Sequence, residues 1–378
     1  VDLAALAHNY RTLVDYARSG PAPGERQSAP DILGIVKANA YGHGAAPVAL
    51  ALEAAGAPML ACADIEEGVL LRRAGVRIPI LVFGALSIGD VDGLFEHGLT
   101  PTVSTPSAVR TLEQAAARHE TVLGCHLKID TGMNRLGFRH DQLDRTMPPL
   151  LASAHLRIDA VYTHFATADD PEDPLFGEQR ERFERVWTHL QALGLRTTDA
   201  AGRAIVRRHA ANSAALLRDE RVWFDAVRPG LLLYGLVPPP LYTTAPLRPV
   251  MTLTSRIVSV KGIRPGEGVG YGMRFRTDTP RRVAVVPAGY ADGLDTRLGN
   301  QGVVLVRGRR ARIIGAVCMD MLMIDVTDQD ADPGDEVVVL GEQGEERIDA
   351  REMAAAIGTI PYEIICRIGT RIERVYPA

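Results

Sequence analysis

Eight short apolar runs recur before residue 240, and most of the intervals between them carry a helical period. The runs fall at 32–36, 59–63, 78–83, 99–103, 124–129, 158–163, 205–209 and 227–233. Several are rich in Val, Ile and Leu at successive positions, the pattern of a parallel strand covered on both faces. Between the first two runs Ala45, Val48, Ala49 and Leu52 fall at i, i+3, i+4 and i+7. Asp64 caps a second helix that contains Ile65, Val69 and Leu70. Ser104 or Thr105 opens another, with Val109 and Leu112 facing inward. The longest covers 176–195, with Phe183, Val186, Trp187 and Leu190 at helical spacing. Eight strands alternating with helices predict an α/β fold, a (β/α)8 TIM-like barrel over residues 1–240.

Val237-Pro238-Pro239-Pro240 ends the pattern, because three prolines fit neither a helix interior nor a central strand. Beyond this stiff linker the helical period nearly vanishes. Runs at 252–260, 282–286, 302–306, 311–317, 322–326 and 336–340 are separated by turns such as Arg264-Pro265-Gly266-Glu267 and Asp332-Pro333-Gly334-Asp335. They predict a mostly antiparallel β domain over 241–378, with one helix near 350–357. The loose stretch 18–30 reads as a surface loop.

The 378 residues suffice for two domains, and a 46% hydrophobic share suffices for a full core. A formal charge of −4 argues against a general nucleic-acid binder. No stretch of about 18 apolar residues predicts a membrane span. Val1-Asp2-Leu3-Ala4-Ala5-Leu6 lacks the basic leader and apolar core of a signal peptide. Cys62, Cys125, Cys318 and Cys366 lie far apart with no C-x-x-C pair, so no metal site is expected and the setting reads as reduced and cytoplasmic.

A barrel gathers its chemistry at the C-terminal ends of its strands. Lys37 and Tyr41 follow the first run. Burial there would lower the pKa of an ammonium and make it a nucleophile for a carbonyl, beside a phenol and the flexible Gly42. That trio suits an aldehyde carrying a phosphate. Lys128, Asp130, Arg135 and Gly137 close the fifth run, His164 the sixth, Asn212 and Ser213 the seventh, and Arg228, Pro229 and Gly230 mark the eighth. Each has a plainer reading. A strand-end lysine is commonly a solvated terminus, His164 a hydrogen-bonded core histidine, and Ser213 an N-cap, a role compatible with phosphate binding. Five strand ends converging on one rim outweigh those separate readings. In the β domain, Gly268-Val269-Gly270-Tyr271-Gly272 sets a tyrosine among glycines. Tyr290, Met319 and Asp320 stand in further loops.

Val36-Lys37-Ala38-Asn39-Ala40-Tyr41-Gly42-His43-Gly44 resembles the cofactor-binding segment of bacterial alanine racemases. Residues 128–138, Thr163-His164-Phe165-Ala166, Asn212-Ser213, Arg228-Pro229-Gly230, Gly270-Tyr271-Gly272 and Cys318-Met319-Asp320 resemble that family's motifs too, in its order and across nearly the whole chain. The resemblance implies racemisation of alanine with pyridoxal 5′-phosphate, held by Lys37 as a Schiff base. Lys37 and Tyr271 would be bases on opposite faces of the aldimine. Tyr41, Asn212, Ser213 and the N–H groups of Gly230 and Leu231 would serve the cofactor and its phosphate. Arg228 would face the pyridine nitrogen, and His164 would lie beside the ring. Lys128 would be carbamylated and hold Arg135. Met319 and Asp320 would shape the substrate site, and Tyr290 its entrance. Tyr271 would come from a partner subunit, which implies a homodimer with composite sites. The D-alanine would feed peptidoglycan synthesis in a bacterial cytoplasm.

Two departures stand out: Thr370 where some members have a phosphate-contacting tyrosine, and Glu373 where a proline is usual. The rival readings are a PLP-dependent amino-acid decarboxylase of similar architecture, a non-catalytic PLP carrier, and a broader racemase acting on serine or lysine.

Overall fold

The computed structural model describes residues 1–20, 29–84 and 91–377. Most of the stretch expected to form a surface loop, 21–28, lies outside the described residues. The chain divides into two compact units. One comprises Leu6–Ala40 and Ala45–Leu247; the other comprises Arg248–Ala378 together with Val1–Ala5 and Tyr41–Gly44.

The first unit is the expected barrel. Its first strand is two short pieces, Asp31–Ile32 and Gly34–Ile35, and the break closes the ring. Asp31–Ile32 pairs with the last strand, Ala226–Val227, while Gly34–Ile35 pairs with the second, Leu60–Cys62. Ile80–Val82, Thr100–Val103, Leu123–Asp130, Leu156–Tyr162 and Arg207–His209 complete the circuit, all in parallel. Leu60–Cys62 and Ile80–Val82 are buried at every position, as strands walled on both sides require. The helices Ala45–Ala54, Ile65–Arg73, Pro106–Arg118 and Leu175–Ala192 cover them. Val48, Ala49 and Leu52 face inward as the spacing requires. The cap of the third is Thr105, whose hydroxyl takes the Ala108 N–H.

The eighth run departs from expectation. The strand stops at Val227, and Leu231–Tyr234 turns as a 3-10 helix. Pro229 has no N–H for a ladder, and the four helical residues are buried on all sides, so their apolarity carried no period to separate helix from strand.

The second unit is antiparallel. One sheet orders Leu253–Arg256, Glu336–Gln343, Val303–Val306 and Arg309–Arg312, with Glu346–Ile348 on Glu336–Gln343; another orders Ser259–Ile263, Arg281–Val286 and Leu322–Asp325. The run at 252–260 is therefore two strands. The chain changes sheets where the Ile257 N–H reaches Asp335 O and the Val258 N–H reaches Val285 O. The run at 311–317 ends early, its strand running Arg309–Arg312, and the chain turns beyond it. Gly315 sits at φ +75°, and a Cβ there would meet Val269 O at 2.6 Å. The helix Ala350–Ile357 is capped by Asp349. A second helix, Pro361–Cys366, and the small pair Gly268–Val269 and Phe275–Arg276 had no counterpart in the sequence reading. Among the described residues no helix is long and apolar enough to cross a membrane.

Candidate active site

Lys37 stands where the first strand ends, and the backbone behind it is unusual. Ala38, Asn39, Ala40 and Tyr41 all have φ of 53°, a left-handed turn without glycine. Each such residue costs roughly 1–2 kcal/mol, so the surroundings must hold the turn. The Ala40 N–H reaches Val36 O at 2.9 Å. Asn39 Oδ1 accepts the Ala45 N–H at 2.8 Å. The two carboxylate oxygens of Glu67 accept the N–H groups of Ala38 and Ala63, each at 2.7 Å. Sequence reasoning passed over Glu67. Its place three residues after the cap Asp64 was the available signal, since such a glutamate usually reaches back to the cap's own N–H.

Lys128 lies buried on the fifth strand, its Nζ 5.5 Å from the centre of the Tyr162 ring. Burial, followed by the charges of Arg135, Arg228 and Lys37, lowers its pKa to about 8, against an opposing pull from Asp130. Arg135 is exposed on the loop beyond that strand. Asp130 winds this loop by accepting the Gly132 and Asn134 N–H groups at 2.9 and 3.1 Å. Gly137, at φ +128°, lets the loop return against the strand, because a Cβ there would meet Asp130 N at 2.6 Å.

Arg228 is buried and heavily engaged. Its Nη1 donates to His209 Nδ1 at 2.7 Å, and its Nη2 reaches Thr163 O, Ala210 O and His164 Nδ1 at 2.8, 2.9 and 3.3 Å. Burial lowers its pKa to about 10, which leaves it charged at neutral pH. Its bond to His209 fixes tautomers. His209 Nδ1 accepts, so its Nε2–H donates to His126 Nδ1 at 3.0 Å. Burial and then neighbouring cations hold both rings neutral, His126 at about 3 and His209 well below the usual imidazole range. Tyr162 stacks on His209 at 4.7 Å. His164 is neutral for the same reasons, burial first and then Arg228, Arg135, Lys128 and Lys37. Gln179 supports its loop, joining Thr131 Oγ1, His164 O and the Ala166 N–H.

Asn212, not Ser213, caps the helix Ser213–Arg218; its Oδ1 takes the Ala215 N–H at 2.9 Å. Ser213 is thereby released for another task. Its Oγ accepts the N–H groups of Gly230 and Leu232 at 2.9 and 3.4 Å, which leaves its own proton to donate. The Gly230 N–H, expected to face a phosphate, is thus taken up within the chain. The buried Leu231 N–H has no acceptor among the described residues.

The other unit gathers its own set. A cleft of about 860 Å³ is lined by Tyr271, Tyr290, Met319 and Asp320, with Lys261 and Cys318 beside them. Tyr271 is 77% exposed and sits between Gly270 and Gly272, both at positive φ. The loops that carry Tyr290 and Met319 are fastened together: the Tyr290 and Ala291 N–H groups reach Cys318 O and Met319 O, each at 3.0 Å. Arg371, next to Thr370, bridges Asp320 and Asp292 at 2.9 Å each. Tyr41 belongs to this unit, its ring 6.0 Å from that of Tyr362. Burial raises its phenol pKa far above the usual range, so it stays a proton donor.

A parallel barrel with a strand-end lysine among buried cations, followed by an antiparallel unit with an open cleft, defines an α/β enzyme of two parts. Comparison with known proteins specifies it. Residues 1–238 match the family "Alanine racemase, N-terminal domain", and 250–376 match "Alanine racemase, C-terminal domain". An alanine racemase of Carboxydothermus hydrogenoformans is 41% identical, over 100% of this chain and 98% of its own length. A crystal structure of alanine racemase from Streptomyces lavendulae superposes with a TM-score of 0.91 at 34% identity, covering 100% of this chain and 96% of that one. One from Bartonella henselae, with covalently bound pyridoxal phosphate, has a TM-score of 0.86 at 27% identity, covering 100% and 98%. The chain belongs to the alanine racemase family of enzymes, which sets aside the decarboxylase and carrier readings.

Proposed function

We propose that this chain interconverts L- and D-alanine with pyridoxal 5′-phosphate bound at Lys37, using Lys37 and Tyr271 as opposed bases. The donor set of the rim suits that cofactor. The buried Leu231 N–H needs an acceptor, which a phosphate oxygen provides. The Ser213 hydroxyl has a proton to give, and the Tyr41 phenol, four residues along the chain from Lys37, is a further donor. Arg228 has five N–H donors for four acceptors in the chain, so at least one is left for a ring nitrogen. When bound, the cofactor supplies an electron-accepting ring that acidifies the Cα–H of an attached amino acid.

The residues then divide the work. Lys37 takes the Cα proton on one face, and the phenol of Tyr271 delivers a proton on the other; the reverse direction exchanges their roles. Arg228 remains protonated and cannot release a proton to the ring nitrogen, which limits the electron sink and its side reactions. Lys128 carries a fraction of neutral amine at neutral pH. That amine adds carbon dioxide and loses a proton, giving a carbamate that pairs with Arg135. Met319 and Asp320 shape the substrate site and Tyr290 its entrance.

The observation that carries the two-base reading is Tyr271 itself. It is a phenol held between two glycines of positive φ, exposed at a cleft of the second unit. Offered to the barrel rim of another copy, it completes a composite site, so the working unit is a homodimer. The product D-alanine would serve peptidoglycan synthesis in a bacterial cytoplasm. The test is racemisation of L-alanine with added pyridoxal phosphate, alongside Lys37→Ala and Tyr271→Phe. Lys37→Ala should lose both activity and the visible absorbance of bound cofactor, and Tyr271→Phe only the activity. Full activity of Tyr271→Phe in both directions would overturn the two-base assignment. Serine and lysine as substrates measure breadth in the same assay.

A further inference from the structure

We propose that Glu67 is a positioning residue: it clamps the left-handed turn behind Lys37 and so aims the lysine amine. The inference rests on the reading of Lys37 as the cofactor-holding base. Four consecutive non-glycine residues at φ of 53° do not hold themselves in place. The first of them, Ala38, is exposed, and its N–H has a carboxylate oxygen of Glu67 at 2.7 Å. The other oxygen takes the N–H of Ala63, just past the end of the second strand, Leu60–Cys62. One carboxylate therefore ties the residue after Lys37 to the neighbouring strand end. Bonds to a charged acceptor are among the stronger ones available.

The clamp is anchored well. Glu67 lies in the first turn of Ile65–Arg73, whose cap Asp64 takes the Glu67 N–H at 2.8 Å and whose Gly68 and Leu71 are buried. A glutamate at this position ordinarily serves its own helix by bonding the cap N–H. Here both oxygens leave the helix for strand ends, which a merely local capping role does not explain. Loosening Ala38 alters the backbone directly after Lys37 and moves Nζ through the whole length of the side chain. Misplacement of a reacting group by about 1 Å costs on the order of 100-fold in rate.

The experiment compares Glu67→Gln with Glu66→Gln in the holoenzyme. Glu66 is exposed in the same helical turn and controls for the loss of one negative charge there. A glutamine has one acceptor oxygen, so one of the two N–H groups loses its partner. Glu67→Gln should lower kcat in both directions by about 10- to 100-fold and leave KM within about threefold. Amide hydrogen exchange should quicken in the segment containing Ala38. Glu66→Gln should change none of these. If Glu67→Gln folds poorly, Glu67→Asp supplies the same readouts, since it keeps the charge but is one methylene too short to reach both groups. The proposal is overturned if kcat stays within twofold, or if kcat falls while exchange at Ala38 is unchanged. A Lys37→Ala variant that kept the visible cofactor absorbance would instead sink the reading of Lys37, whatever Glu67 does.

Discussion

The neutral histidine pair under Arg228 makes acid sensitivity a quantitative test of the barrel interior. His126 is 5% exposed, hydrogen-bonded to His209 and close to the charges of Arg207 and Arg228. Its pKa falls from 6.5 to about 3 in the folded chain. Below about pH 6.5 the unfolded chain takes up a proton that the folded chain refuses, so stability falls with falling pH and the loss levels off only near pH 3. Between pH 7 and pH 5 this single ring costs about 2 kcal/mol. His209 and His164 are depressed in the same direction and steepen the decline. The perturbation is His126→Asn, whose amide oxygen can still accept from His209 Nε2–H but does not titrate. Urea unfolding of the holoenzyme, at fixed protein concentration from pH 5 to pH 7, reads the effect. The variant should lose stability less steeply, by about 1.4 kcal/mol per pH unit at the acid end. If wild type and variant ran parallel, His126 would be protonated or solvated in the fold, and the tautomer chain drawn from Arg228 would be wrong.

Three further outcomes follow from the geometry. Ala38→Gly should stabilise the chain by about 0.5–1 kcal/mol, the relief of left-handed strain less the added freedom of the unfolded state. Ala51→Gly, inside the ordinary helix Ala45–Ala54, should destabilise it by about 1 kcal/mol; melting curves showing the same sign for both would contradict the turn. Intact-mass spectrometry should find one carbon dioxide added at Lys128, and Lys128→Ala should weaken substrate binding; an unmodified, fully active Lys128 defeats the carbamate reading. Gly137→Ala should cost activity through the Arg135 loop, because its methyl would press on Asp130 N at 2.6 Å; unchanged kcat/KM would show that the loop can shift freely.

Much of this was legible in the residues. Strands such as Leu60–Cys62 and Ile80–Val82 announce themselves because a parallel strand is apolar throughout, and Asp64 announces a helix because its side chain meets an N–H that the helix leaves open. The eighth run misled because Leu231, Leu232 and Leu233 are buried on every side, and total burial erases the period that tells a strand from a helix. Ser213 and Asn212 are both good caps, so the choice between them waited on geometry. Nothing in Ala38-Asn39-Ala40-Tyr41 signals a left-handed turn; only Asn39 has any taste for it, and the conformation is imposed by partners such as Glu67. The polar strand ends could be gathered on paper, whereas the line from Arg228 through His209 to His126 depends on distances that spacing does not encode.

The division of the chain also sets a schedule for folding. The segment Tyr41–Gly44 is grouped with the C-terminal unit and is fastened there by residues far along the chain: Arg374 Nε donates to Gly42 O and Tyr376 OH to His43 O. Val1 N, in the same unit, donates to Val375 O. At about 5–20 residues per second, the ribosome needs roughly 15–65 seconds after Gly44 emerges to supply those partners. The peptide that directly follows Ala40 must therefore wait for partners 332 and 333 residues further along. A gene cut at the proline linker would leave the second unit without its first five residues and without the Tyr41–Gly44 segment, however complete the remaining sheet.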